Sequence, residues 1–204
     1  MYSIESLENR IKNLDNNQLR TLSVAASELI WPVLRHPHPE TPVRTGTISA
    51  FRSILDALWL IVKDSSGCPD GSENAILERA STELSRSEEF EMQDPLCEDA
   101  IVSIYMTSEA VACRGQGELE SVKWVIMRLI DAADYIALLD HPEVTSIDKD
   151  VENSIESSDV FSGACGFIDR YIDMTKTSPM DITKDRCMRD ALLLDSIFRT
   201  VSSY

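Results

Sequence analysis

Phe51-Arg52-Ser53-Ile54-Leu55-Asp56-Ala57-Leu58-Trp59-Leu60-Ile61-Val62 decides the fold class, because its large apolar residues recur three and four apart. Phe51, Ile54, Leu55, Leu58, Trp59 and Val62 share one broad face of a 3.6-residue helix, and two of them are large rings. The spacing predicts the central core helix of an all-α protein. Nearly every other segment repeats the pattern, and strict period-two alternation bounded by turns is hard to find.

Upstream, Leu7, Ile11 and Leu14 stack on a first helix predicted from Ser3 to Leu14, with Ser3 as its N-cap. Asp15-Asn16-Asn17 re-caps the chain for a second helix carrying Leu19, Leu22, Ala26, Leu29, Ile30 and Val33, which Pro32 kinks or ends. Pro37, Pro39 and Pro42 stiffen the loop that follows. Downstream, the turn cluster from Ser65 to Gly71 leads to a helix with Ile76, Leu77, Ala80 and Leu84. Asp94 as N-cap and Pro95 at the first helical position start the next, with Cys97, Ala100, Ile101, Ile104, Tyr105, Ser108 and Val111 along one stripe. Gly115-Gln116-Gly117 implies a tight antiparallel pair with the helix from Glu118 to Leu139. From Asp148 to Met174 the stripe is weaker, and Gly163 and Gly166 predict a break or a close helix crossing there. Thr177-Ser178-Pro179 turns the chain into a C-terminal helix bearing Cys187, Ala191, Leu194, Phe198 and Val201. At 204 residues and 43% hydrophobic, the chain reads as a single all-helical domain over 1–204, a bundle of about seven or eight helices.

The net charge of −16 comes from the middle of the chain, where residues 65–169 hold 23 acidic against 6 basic side chains. Residues 1–64 balance seven against seven, and residues 170–204 carry five acids against six bases. A negative surface disfavours nucleic-acid backbones and anionic membranes as partners and favours a basic protein. No run of the length a bilayer requires is seen, and the start lacks the order of a secretory signal, so the cytoplasm is the expected compartment. Cys68, Cys97, Cys113, Cys165 and Cys187 are scattered, odd in number and never spaced as CxxC, which points away from a disulfide framework or zinc knuckle and puts most of them on buried helix faces as free thiols.

No cofactor is implied: nucleophile-elbow, Walker, HExxH and dinucleotide-binding signatures are missing. His36 and His38 form an HxH pair in the proline-rich loop, read as solvated, and His141 before Pro142 reads as a helix cap. Gly163-Ala164-Cys165-Gly166 frames a cysteine without a histidine beside it, so small-residue packing is the preferred reading. Asp131 and Asp134 share a helix face, without the Glu-x-x-His pairing of carboxylate di-metal bundles.

The segment from Phe51 to Trp59 resembles the ILDxxW signature of the YjaG-like bacterial family of unknown function. Gln18-Leu19, Glu28 and Trp31-Pro32 are similar to that family's first long helix, and Asp99-Ala100 with Glu118-Leu119-Glu120-Ser121-Val122 to its central helix pair. The likeness covers residues 4–175 and departs at Glu28-Leu29, where a Glu-Arg pair is expected. The resemblance implies an all-helical cytoplasmic fold and brings no catalytic residues. Arg52 and Asp56, four apart, predict an intrahelical ion pair in preference to a buried, packing-fixing salt bridge.

Three function classes follow. The first is a non-enzymatic binding module whose acids neutralise a basic partner, as bacterial immunity proteins block nuclease toxins, with Glu88, Glu89, Phe90, Glu91, Asp131, Asp134 and Tyr135 as the contact residues. The second is a structural homo-oligomer that uses surplus apolar residues of 151–172. The third, ranked last, is a metal-dependent hydrolase built on Asp131 and Asp134 with His141 or His36.

Overall fold

The computed structural model describes residues 4–36, 42–63, 72–87, 94–112, 118–139 and 149–201. These residues form nine α-helices and one 3-10 helix, with no strand among them. The helices are α1 (Ile4–Ile11), α2 (Asn16–Ile30), α3 (Thr45–Lys63), α4 (Ser72–Ser87), α5 (Pro95–Ala112), α6 (Glu118–Leu139), α7 (Lys149–Ser157), α8 (Asp159–Thr177) and α9 (Met180–Val201). The all-α expectation stands, but the number of helices exceeds the expected seven or eight. The extra one comes from the weak stripe after residue 148.

There the chain breaks at Ser158 and not at the glycines. The Ser158 side chain accepts a hydrogen bond from the Phe161 amide and so caps α8, separating it from α7. Helix α8 then runs unbroken through Gly163 and Gly166, and a Cβ added at either would meet nothing within 4 Å. Neither glycine faces a neighbouring helix, whereas Ala164 between them is fully buried, which corrects the expectation that the glycines themselves make a break or a close crossing.

The central helix is α2, and not α3 as the strength of the α3 stripe suggested. Asp15 opens it with a complete capping box: its carboxylate accepts from the Gln18 amide at 2.8 Å and the Gln18 side chain accepts from the Asp15 amide at 2.9 Å. From Thr21 to Ile30 every residue is buried, and α2 packs against α3, α5, α6, α8 and α9. Surrounded on all sides, α2 seats small hydroxyls where it meets α5. Ser23 and Ser27 share hydrogen bonds of 2.7 and 2.8 Å with Thr107, so the close approach leaves no buried hydroxyl of this trio unpaired. Pro32 ends α2 as expected, and the chain tightens into the 3-10 helix Trp31–Arg35.

The predicted stripe of α3 is buried throughout, from Phe51 to Val62. Its length and mean hydropathy of 1.3 would suffice to cross a membrane, yet half of that window is buried inside this bundle. Helix α1 is shorter than expected, ending at Ile11, with Leu14 still buried in the turn that follows. Asp94 caps α5 as expected, accepting from the Leu96 amide at 2.9 Å. Helices α5 and α6 form the expected pair, and Asp99, near the start of α5, bonds Arg128 at the middle of α6. One continuous hydrophobic core runs from Leu7 in α1 to Leu194 in α9.

Candidate functional site

Acidic side chains from three helices converge on the outer face of α6. A turn of about 100° per residue sets Trp124, Arg128, Asp131 and Tyr135 within an arc of about 60°, opposite the buried Val122, Ile126, Leu129 and Ala133. Trp124 is 54% exposed and Tyr135 40% exposed. Asp131 is exposed and Asp134 partly so. From α5, Asp99 reaches Arg128 across the helix pair. From α7, Glu152 and Glu156 lie close enough to Asp134 to disfavour its charge.

The electrostatics follow from partial burial and crowding of like charge. Burial chiefly raises Asp99, to about 6; Arg128 opposes this, while Asp131 and Glu98 add to it. Asp131 is raised first by burial and then by Asp134, and Asp134 first by burial and then by Glu152 and Glu156. Among these side chains Arg128 pairs with Asp99, and the carboxylates of Asp131, Asp134 and Glu152 add negative charge to the same face at neutral pH.

Among the sequence-predicted contact residues, Asp131, Asp134 and Tyr135 come together here, while Glu88, Glu89, Phe90 and Glu91 lie outside the described residues. Trp124 was missed by the sequence reading. Its signal was present, since it falls two residues after Val122 and hence outside the buried stripe of α6. Asp99, two turns or less from the start of α5, also belongs to this face.

A second polar assembly lies between α2 and α3. Glu28, 3% exposed, accepts both arms of Arg52, at 2.6 and 2.8 Å, and the Trp59 indole N–H at 3.0 Å. Arg52 also donates to Asp56 at 2.9 Å and stacks 5.0 Å from the centre of the Trp31 ring. The preferred intrahelical pair exists, but Asp56 is half exposed, and the buried bidentate pair to Glu28 is the one that joins helices. The residues carrying the ILDxxW likeness, with Glu28 and Trp31, thus form one packing device.

A third assembly gathers around Asp190 of α9, 1% exposed, which accepts from Tyr171 at 2.7 Å and Arg170 at 2.6 Å and pairs with Arg186 at 3.2 Å. Burial pushes the Tyr171 hydroxyl far up, so it stays a donor. Cys187 beside it is fully buried, its thiol donates to the Ala25 carbonyl, and burial raises its pKa well above the ordinary thiol value. Cys165, in the glycine-framed segment, is pushed up to about 11 chiefly by burial, so its thiolate is scarce at neutral pH. Neither cysteine is an activated nucleophile.

His36 is not solvated: its Nε2 sits 2.8 Å from Asp195 Oδ1, and Arg35 adds a 3.4 Å contact to the same oxygen. That histidine holds the 3-10 helix to α9. His38 and His141 lie outside the described residues. Among the described residues no group of three or more His, Cys, Asp or Glu side chains is arranged to hold a metal ion.

No family model matches the sequence, and no curated protein matches it. Among solved structures, a DUF416 family protein from Shewanella baltica OS155 superimposes with a TM-score of 0.67 at 13% identity, covering 91% of this chain and 93% of that one. At that identity the likeness is one of fold: this chain shares its helical architecture, nearly end to end, with a protein of an uncharacterised family.

Proposed function

We propose that this chain is a non-enzymatic protein-binding module whose acidic α5–α6–α7 face neutralises a basic partner, in the manner of an immunity protein against a basic toxin. The supporting observation is the gathering of Asp99, Asp131, Asp134, Glu152 and Glu156 at the outer face of α6, the helix that also exposes Trp124 and Tyr135. Large exposed rings supply contact area, and a surrounding field of one sign speeds encounter with the opposite charge and repels acidic competitors. The buried carboxylates Glu28 and Asp190 are engaged by Arg52 and Arg170 inside the bundle, whereas Asp131 and Asp134 stand on the outer face where a partner can reach them. Glu88, Glu89, Phe90 and Glu91 are assigned to the same interface on sequence grounds. The cytoplasm is the proposed compartment, and a single domain over 1–204 the proposed unit. The ILDxxW segment, together with a fold shared with an uncharacterised family, supports a place in the YjaG-like family.

Tagged protein is used to capture partners from the native host at low and at high salt, with mass spectrometry of what is retained. The reading expects a basic protein whose retention falls steeply with salt. Retention that ignores salt would refute it.

A further inference from the structure

The apolar surplus of this bundle is on α9, and not on 151–172, where Ile155, Val160, Ala164, Ile168, Tyr171 and Ile172 are buried. On α9, Ile182, Leu192 and Leu193 are 56%, 62% and 56% exposed. Leu60 of α3, 64% exposed, adds to them: it lies one turn before Lys63, whose ammonium bonds Asp181 at 2.8 Å at the start of α9. Ile182, Leu192 and Leu193 thus line the outer side of α9 over its length, with Leu60 near its start, and large aliphatic side chains repeated along one exposed helix face mark an interaction surface.

We infer that this face binds a second copy of the same chain, with the two α9 helices antiparallel across a two-fold axis near Cys187. The argument is charge complementarity within the face. Asp185 and Arg189 are both exposed, and neither makes an ion pair with any described residue. They sit at equal distances on either side of residue 187. An antiparallel partner centred there sets Asp185 of one copy opposite Arg189 of the other, twice, and Ile182 opposite Leu192 and Leu193. A two-fold interface must be self-complementary, and this sequence is. The location also suits two strongly acidic molecules, because residues 170–204 carry six basic against five acidic side chains while the chain as a whole carries −16.

Sedimentation velocity of the full chain across a wide concentration range tests this, independently of any basic partner. The expected result is a reversible dimer, about twice the 22.9 kDa of the chain. Leu192→Glu and Arg189→Asp each weaken association at least tenfold, and both leave the helical circular dichroism unchanged because the altered side chains are exposed. The double exchange Asp185→Arg with Arg189→Asp restores the dimer. A monomer at every concentration would overturn the inference, as would a dimer indifferent to Leu192→Glu. A double exchange no better than Arg189→Asp alone would overturn the antiparallel register.

Discussion

Replacing Glu28 with alanine tests how α2 and α3 are held together. The carboxylate accepts two hydrogen bonds from Arg52 and one from the Trp59 indole, and it is almost wholly buried. Its loss leaves a largely covered guanidinium with only the half-exposed Asp56, and a buried indole N–H with no acceptor. Breaking one side of a buried pair costs about 3–5 kcal/mol. Unfolding a chain of 204 residues releases about 0.4 kcal/mol per kelvin near 60 °C, so a loss of about 4 kcal/mol lowers Tm by about 9 °C. Thermal unfolding followed by circular dichroism, with Asp56→Ala as the reference, reads this directly. Asp56 is half exposed, and its intrahelical pair is worth about 0.5 kcal/mol, close to 1 °C. Equal, small shifts for the two variants would refute the assignment of Glu28 as the anchor. The double variant Glu28→Leu with Arg52→Met recovers much of the loss, because it removes both charges from the interior.

Gly163→Ala and Gly166→Ala, each in the open on α8, stabilise the protein by about 0.5–1 kcal/mol apiece in urea titrations; destabilisation would mean that a neighbour does approach. Asp99 binds its proton more tightly folded than unfolded, so its contribution to stability is fully present below the ordinary carboxylate value of 3.8 and is lost as pH rises to about 6. Asp99→Asn is free of that loss, and its stability relative to the parent improves across this window; a constant difference from pH 4 to pH 7 would contradict the raised pKa. Iodoacetamide on the native protein, read by peptide mapping, leaves Cys97 and Cys187 unmodified and labels Cys165 slowly at pH 8; rapid labelling of Cys187 would contradict its burial.

Fold class was legible because helical periodicity in segments such as Phe51–Val62 translates directly into burial. The end of α2 at Pro32 and the caps at Asp15 and Asp94 were legible because each rests on local backbone chemistry. Centrality was not. Helix α2 is surrounded because its small residues, Ser23, Ala25, Ala26 and Ser27, let neighbours in on every side, and small residues leave a weaker stripe than the large ones of α3. The glycines of α8 misled for a related reason: glycine permits close approach but does not compel it, and the serine cap at 158 decided the break. Asp131 and Asp134, three apart, could be placed on one face from spacing alone, whereas Asp99 and Glu152 join them only through the packing of α5 and α7 on α6. Long-range pairs such as Arg52 with Glu28, and His36 with Asp195, carry no signal in local spacing.

The acidic face is tested most directly by parallel capture from the native host with the parent chain and with an Asp131→Lys, Asp134→Lys variant, after circular dichroism has shown both to be folded. The account predicts one basic protein, held by the parent at low salt, released at high salt, and absent from the variant. The same protein recovered equally on both baits would contradict it.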